Sequence, residues 1–300
     1  MKVLITGGTG FVGSHLLQLL VEQGKEIVLL KRSTSDLNRI SSLLSSIQTY
    51  DIDTIDIENI FKQNEVDQII HLATDYGRTD DFLKCNYTNV VLPLQLLQTG
   101  YANGVKRFIA VDTFSSLVDK LDYLPAYHIT KRHFREWGTY IAAKQEKEFI
   151  TAFLQHPYGP KDNPNKFTSY LFKSLIEQIP FMDLTAGIQK RDFIHVTDVA
   201  SALLSILEAS VVSPVLEIGT GQSISIKDFV IKVKSLAGNN STKLNFGKLP
   251  TRSNEIMDAK ADTSAMRRLN WDPKVELDNG ILDLISWFKK TNHHIPISES

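Results

Sequence analysis

Residues 6–13 read Thr6-Gly7-Gly8-Thr9-Gly10-Phe11-Val12-Gly13. The run Lys2–Thr6 before them is apolar and β-branched. The stretch Ser14–Glu22 after them sets Leu16, Leu17, Leu19 and Leu20 on one broad helical face. Glycines at 7, 10 and 13 permit a tight turn, close approach of the backbone to a ligand, and close packing of helix on strand. The N-terminus of the following helix supplies N–H groups and partial positive charge, which suit phosphates. A three-glycine pattern alone is weak, and a ligand-free glycine turn is the competing reading. With a strand before it and a helix after it, the stretch reads as a dinucleotide site formed by Gly7, Gly10, Phe11, Val12 and Gly13.

Outward from this turn, β-branched runs recur at Glu26–Lys31, 47–52, 66–73, Arg107–Val111 and Phe149–Leu154, with helical patterns such as Ile57–Gln63 between them. Strands separated by helices of about ten residues predict right-handed βαβ units and a parallel sheet. The expected fold is therefore α/β, a Rossmann-like doubly wound parallel sheet. Beyond Gln155 the composition shifts toward Pro, Asn and Gly. Residues 191–208 then read as strand followed by helix, 215–221 as a buried strand, and 280–290 as an amphipathic helix. The expected division gives residues 1–155, 191–221 and about 271–292 to the nucleotide-binding domain. Residues 156–190 and 222–270 are expected to form a smaller, discontinuous α/β substrate-binding lobe.

In such sheets ligands lie at the carboxyl ends of the strands. The second strand ends in Lys31-Arg32, where an acidic residue would bind a ribose 2′-hydroxyl; two cations there favour a 2′-phosphate, hence NADP(H) over NAD(H). Asp51-Ile52 is placed to meet the adenine, and His71-Leu72-Ala73-Thr74 lies along the cofactor's middle, with Thr74 grouped with the substrate residues. Tyr127 and Lys131 are four residues apart and share one helical face. A neighbouring ammonium and an oxidised nicotinamide are each expected to lower the phenol's pKa toward useful acid–base chemistry. Tyr140 and Lys144 have the same spacing, so position decides. Tyr127 follows soon after the fifth strand, whose end carries Asp112-Thr113-Phe114-Ser115-Ser116.

These features resemble the extended, sugar-nucleotide-modifying branch of the short-chain dehydrogenase/reductase superfamily over nearly the whole chain. The resemblance implies that Tyr127 is the acid–base residue, that Lys131 holds the nicotinamide ribose, and that Thr113 is the catalytic hydroxyl. Asn89, in Asn-Val-Val-Leu-Pro, matches an Asn that supports the site and is grouped with the substrate residues; Pro93 departs from the small residue usual there and is expected to bend its helix. Tyr158-Gly159-Pro160 matches a turn of the branch. Arg191-Asp192-Phe193-Ile194-His195-Val196-Thr197-Asp198-Val199 matches its substrate block, implying that Arg191 meets a diphosphate. Arg252 and Glu255 match a second Arg and acidic residue for the diphosphate and nucleotide ribose, since guanidinium donors form a fork that fits phosphate. His156 stands where many relatives carry an Asn that contacts the nucleotide. Within the branch, residues 30–35, 112–114, 131–134 and 184–191 look most like reductases of CDP-linked 4-keto-3,6-dideoxyglucose.

Three chemistries share such a scaffold. A 4,6-dehydratase of the branch carries Asp-Glu after the catalytic Thr, and Phe114-Ser115 stands there instead. A 4-epimerase holds NAD tightly, whereas Lys31-Arg32 favours exchangeable NADPH. Reduction needs only hydride, a proton from Tyr127 and polarisation by Thr113. The competing readings are an NAD-dependent nucleotide-sugar 4-epimerase, a non-catalytic NADP-binding sensor, and a reductase of apolar carbonyls. The expected partners are a nucleotide sugar and a second copy of the chain.

Composition bounds these readings. The 300 residues hold 33 basic and 34 acidic side chains, for a net charge of −1, which argues against a surface built for nucleic acid. A single cysteine, Cys85, leaves no internal disulfide and fits a reducing compartment. Residues 3–21 and 85–105 are uncharged, but glycines and His15 interrupt the first and amides the second, so neither reads as a targeting or membrane segment. The expectation is a soluble cytoplasmic protein. His128, His133 and the pair His293-His294 lack ligand partners at suitable spacing, and no metal is expected.

Overall fold

A computed structural model describes residues 1–79, 81–118 and 123–292; His293-His294 lies outside them. The chain divides into two compact units. The first comprises Met1–Leu154, Val199–Ile218 and Thr263–Trp271. Its centre is a seven-stranded parallel sheet. Six strands are β1 (Lys2–Thr6), β2 (Glu26–Lys31), β3 (Gln48–Asp51), β4 (Gln68–His71), β5 (Arg107–Thr113) and β6 (Glu148–Leu154). The seventh is Val215–Ile218, and the spatial order is Val215–Ile218, β6, β5, β4, β1, β2, β3. The order reverses between β1 and β4, the switch point at whose carboxyl side such sheets bind ligands.

The strands form where buried apolar runs occur: Val3, Leu4, Ile5, Ile69, Ile70, Phe108 and Ile109 are inaccessible to solvent. On one face Leu4, Ile69, Leu96, Leu97, Phe134 and Phe149 share a single apolar cluster. The Phe108, Phe134 and Phe149 rings contact one another there, with centroids 5.5–5.8 Å apart. β5 runs past the expected Val111 to Thr113, because Val111, Asp112 and Thr113 continue the register against Ala152, Phe153 and Leu154. This extension places Thr113 at the sheet's carboxyl edge.

The second unit comprises, among the described residues, Gln155–Asp198, Gly219–Asp262 and 272–292. Short strands pair as His156–Tyr158 with Phe193–His195, and as Phe181–Asp183 with Lys243–Asn245. Tyr158, Phe172, Phe193, Phe229 and Ile281 share its core, where the Phe193 and Phe229 rings stack at 3.9 Å.

The division departs from the expected one. Residues 191–198 and 272–292 fold with the second unit, and 263–270 with the first. The wholly buried Asp192 carboxylate accepts N–H groups from Thr220, Gly221 and Ala261. Asp198 accepts those of Lys274 and Val275, and Ile281, Leu284 and Ile285 join the Phe172–Phe229 core. In the first unit, the Trp271 indole donates to Ser201 Oγ at 2.9 Å. Among the described residues no helix is long and apolar enough to cross a membrane.

Candidate active site

At the glycine turn the backbone itself is the structural requirement. Gly7 has φ +73°, and a Cβ on it would lie 2.5 Å from the Ala73 nitrogen. A Cβ on Gly13 would lie 2.2 Å from the Gly7 carbonyl oxygen. The Gly10 N–H donates to that same carbonyl at 3.0 Å. Helix Phe11–Glu22 starts after Gly10 with no side chain capping it, so its N-terminal dipole remains available to an anion. Gly7, Gly10, Phe11, Val12 and Gly13 thus form a cradle that fits a dinucleotide pyrophosphate. Leu72 and Ala73 close its floor: the Leu72 N–H donates to the Thr6 carbonyl, and the Ala73 N–H to Thr6 Oγ1.

The end of β2 differs from expectation. Lys31 forms an ion pair with Asp51, its register neighbour on β3, so one of the two cations assigned to a 2′-phosphate is already matched by a carboxylate. Arg32 is exposed, and its N–H donates to Ser35 Oγ at 3.1 Å. Ile52 donates its N–H to the Lys31 carbonyl. Asp53, which the sequence reading did not single out, accepts from Ser33 N and Oγ at 2.8 and 2.5 Å. Those bonds hold its carboxyl below the usual range.

Thr113, Tyr127 and Lys131 come together. Helix Pro125–Gln145 begins at a proline whose missing N–H costs nothing at that position. It buries Tyr127 and Lys131 on one face, while Tyr140 is 58% exposed; this difference in burial separates two pairs of equal spacing. Lys131 Nζ donates to the Val111 carbonyl at 2.9 Å, and burial lowers its pKa. Thr113 Oγ1 is 2.9 Å from Ser115 Oγ, which is 3.5 Å from His128 Nδ1. The Tyr127 phenol is held well above its ordinary pKa by burial, then by Tyr76 and Asp112, while a hydrogen bond to Thr113 acts the other way. The expected lowering of the phenol's pKa is therefore not found in the protein alone, where desolvation of the anion dominates. Asp112 in turn pairs with Arg135 at 2.8 Å and accepts the Thr113 N–H at 2.7 Å.

Two buried residues make their hydrogen bonds inside the fold. His71 Nδ1 is 2.8 Å from Thr6 Oγ1, and burial beside Lys131 holds the ring's pKa well down. A neutral imidazole thus ties the end of β4 to the end of β1. Asn89 was grouped with the substrate residues, but it is almost wholly buried and its amide is spent inside the fold. Oδ1 accepts the Asp75 N–H, while Nδ2 donates to the Asp75 carbonyl and to Thr130 Oγ1. Asn89 therefore positions the loop after β4 against the Tyr127 helix. It lies in the π-helical turn Tyr87–Val91, directly before helix Leu92–Ala102. Pro93 has no N–H for the Asn89 carbonyl, and the wider turn absorbs that missing bond. Thr74, half-buried, opens the same loop.

In the second unit, Arg191 and Glu255 are ion-paired to each other. Arg191 also donates to the Lys190 and Ile256 carbonyls. Arg252 is exposed, and its charge opposes that of Arg191. Glu255, expected with Arg252 at the substrate, is ion-paired with Arg191. His156 donates its N–H to the Asp192 carbonyl and packs on Phe193. Burial, with Arg191 and Lys166 nearby, lowers its pKa to about 3, leaving a neutral ring.

Comparison with known proteins agrees with this geometry. The chain is 35% identical to a CDP-abequose synthase of Salmonella muenchen, covering 95% of this chain and 97% of that one. It is 33% identical to a CDP-abequose synthase of Salmonella typhimurium, covering 94% and 97%. A UDP-glucuronic acid 4-epimerase from Bacillus cereus, solved in complex with UDP-glucuronic acid and NAD, superposes with a TM-score of 0.83 at 25% identity, covering 97% of this chain and all of that one. The model of the NAD dependent epimerase/dehydratase family matches residues 3–219. An NAD(P)-dependent oxidoreductase by these likenesses, the chain belongs to that family.

Proposed function

We propose that the protein reduces the 4-keto group of a nucleotide-linked deoxysugar with NADPH. The substrate we assign is CDP-4-keto-3,6-dideoxyglucose, giving CDP-abequose or CDP-paratose for O-antigen synthesis. The observation that carries this reading is the buried pair Tyr127 and Lys131 with half-buried Thr113, followed by Phe114-Ser115 rather than a carboxylate pair. The two CDP-abequose synthases similar over nearly the whole chain support it.

When bound, the cofactor supplies the hydride. Tyr127 then delivers the proton to the keto oxygen, so that C=O becomes CH–OH. Its raised pKa keeps the phenol protonated before that step. Thr113 steadies the oxygen by hydrogen bonding as negative charge develops. Lys131, buried beside them, holds the nicotinamide ribose. Gly7, Gly10, Phe11, Val12 and Gly13 take the pyrophosphate, with Leu72 and Ala73 beneath it. Asp51 and Ile52 border the adenine, and Arg32 carries the preference for a 2′-phosphate now that Lys31 is paired. Thr74, His156, Arg191, Arg252 and Glu255 are assigned to the sugar nucleotide. Arg191 and Arg252 gain a counter-charge when a diphosphate arrives.

A homodimer is part of this reading. Helix Pro125–Gln145 exposes Ile129, Trp137 and Tyr140, and Leu94 of the neighbouring helix borders the groove that Trp137 and Tyr140 line. Exposed aromatics on one helix, beside an apolar side chain of the next, fit a second copy of the same surface.

One observation favours a nucleotide-sugar 4-epimerase as the second reading. Pairing of Lys31 with Asp51 removes one of the two cations that would select NADP. The test is Tyr127→Phe. NADPH oxidation with the ketosugar should fall by about two to four orders of magnitude, while NADPH affinity, read by fluorescence titration, stays within about twofold. Undiminished turnover would exclude Tyr127 as the acid.

A further inference from the structure

The loop after β4 presents a second phenol to the first. Tyr76 lies between two anchored residues. Asp75 is clamped by Asn89 through both its N–H and its carbonyl, at 2.8 and 2.7 Å. The Gly77 N–H donates to Asp75 Oδ1 at 2.8 Å, closing a tight turn. Gly77 has φ +58°, and a Cβ there would lie 3.0 Å from Ala126 Cβ and 3.2 Å from Cys85 Sγ. The backbone on either side of Tyr76 is thus seated against the helix that carries Tyr127. The Tyr76 ring meets the Tyr127 ring at a centroid distance of 5.2 Å, tilted by 43°. The Arg78 guanidinium lies over the Tyr76 ring at 5.4 Å. Tyr76 nevertheless remains 42% exposed.

A ketone that reaches the Tyr127 hydroxyl brings its neighbouring ring carbons beside this aromatic surface. An aromatic face welcomes C–H groups and offers a hydroxyl only a weak π acceptor. A hydroxyl pressed onto it loses water without an equal replacement partner, whereas a methylene loses nothing. We infer that Tyr76 is a specificity-determining residue, selecting a 4-ketosugar whose carbon next to the ketone is CH2 rather than CHOH. This deepens the reading of the chain as a ketosugar reductase and rests on it.

The test compares kcat/KM for CDP-4-keto-3,6-dideoxyglucose and CDP-4-keto-6-deoxyglucose, which differ in that one hydroxyl. The wild type should prefer the former by roughly ten- to a hundredfold. Tyr76→Phe keeps the apolar face and should keep the preference within about threefold, whereas Tyr76→Ser should reduce it to nearly one, mainly through KM for the dideoxy substrate. NADPH binding, followed by fluorescence, should be unchanged in both variants and shows that they are folded. A Tyr76→Ser enzyme with the wild-type ratio would overturn the assignment of Tyr76 alone. A wild type that binds NADPH but reduces neither ketosugar would overturn the reductase reading, and this inference with it.

Discussion

Tyr127 shows how much a single residue's chemistry depends on partners far away in the chain. Its phenol is raised by burial and by Asp112, a carboxylate held by Arg135. Reduction consumes the protonated phenol, so the rate holds through neutral pH and falls as pH rises through the phenol's pKa. Asp112→Asn removes one group that raises this pKa and leaves the Arg135 cation, which also favours phenolate. Both changes act in the same direction. The alkaline limb of kcat should move to lower pH by on the order of one unit, and an unmoved limb would show that Asp112 does not act on the phenol. At this scale the sequence revealed residue types and local spacing. Tyr127 with Lys131 and Tyr140 with Lys144 were separable only by position; the structure adds a difference in burial, Tyr127 being buried and Tyr140 exposed. Lys31 with Asp51 and Arg191 with Glu255 were not legible, because strand register and loop return join residues 20 and 64 apart.

Among the elements, those built on buried periodic runs were legible: β1 and β2 begin and end where the apolar pattern does. The turn of Gly7 to Gly13 was equally plain, since only glycine satisfies its contacts. Gly13→Ala would drive a methyl into the Gly7 carbonyl oxygen, 2.2 Å away. We expect a loss of about 1–3 kcal/mol in urea unfolding and NADPH binding weakened by roughly tenfold or more. Unchanged affinity by fluorescence titration would remove the turn from the cofactor site. The π-helical turn Tyr87–Val91 was not legible. Pro93 announced a bend, but which turn absorbs it depends on Asn89 being claimed by Asp75 and Thr130. The same claim moved Asn89 from a contact with substrate to a support for the loop that bears Tyr76.

At the level of the whole molecule, the chain passes between its two units several times, and its segment boundaries are where sequence reading was weakest. A strand or helix pattern does not say which core it joins. Asp192, Asp198 and the face of Ile281, Leu284 and Ile285 settle that through contacts distant in sequence. Self-association belongs to this scale too. If the Trp137–Tyr140 face binds a second copy, the double variant Trp137→Glu/Tyr140→Glu should sediment as a monomer where the wild type sediments as a dimer; a monomeric wild type would dismiss that interface. Net reduction at C4 can be followed directly. CDP-4-keto-3,6-dideoxyglucose is incubated with NADPH deuterated at the transferable position, and the product is analysed by NMR and the cofactor by absorbance. One NADPH should be consumed per product, with deuterium on C4. Ketosugar left unreduced with no NADPH consumed would contradict net reduction, and inversion at C4 of an added CDP-paratose or CDP-abequose without net NADPH consumption would identify an epimerase.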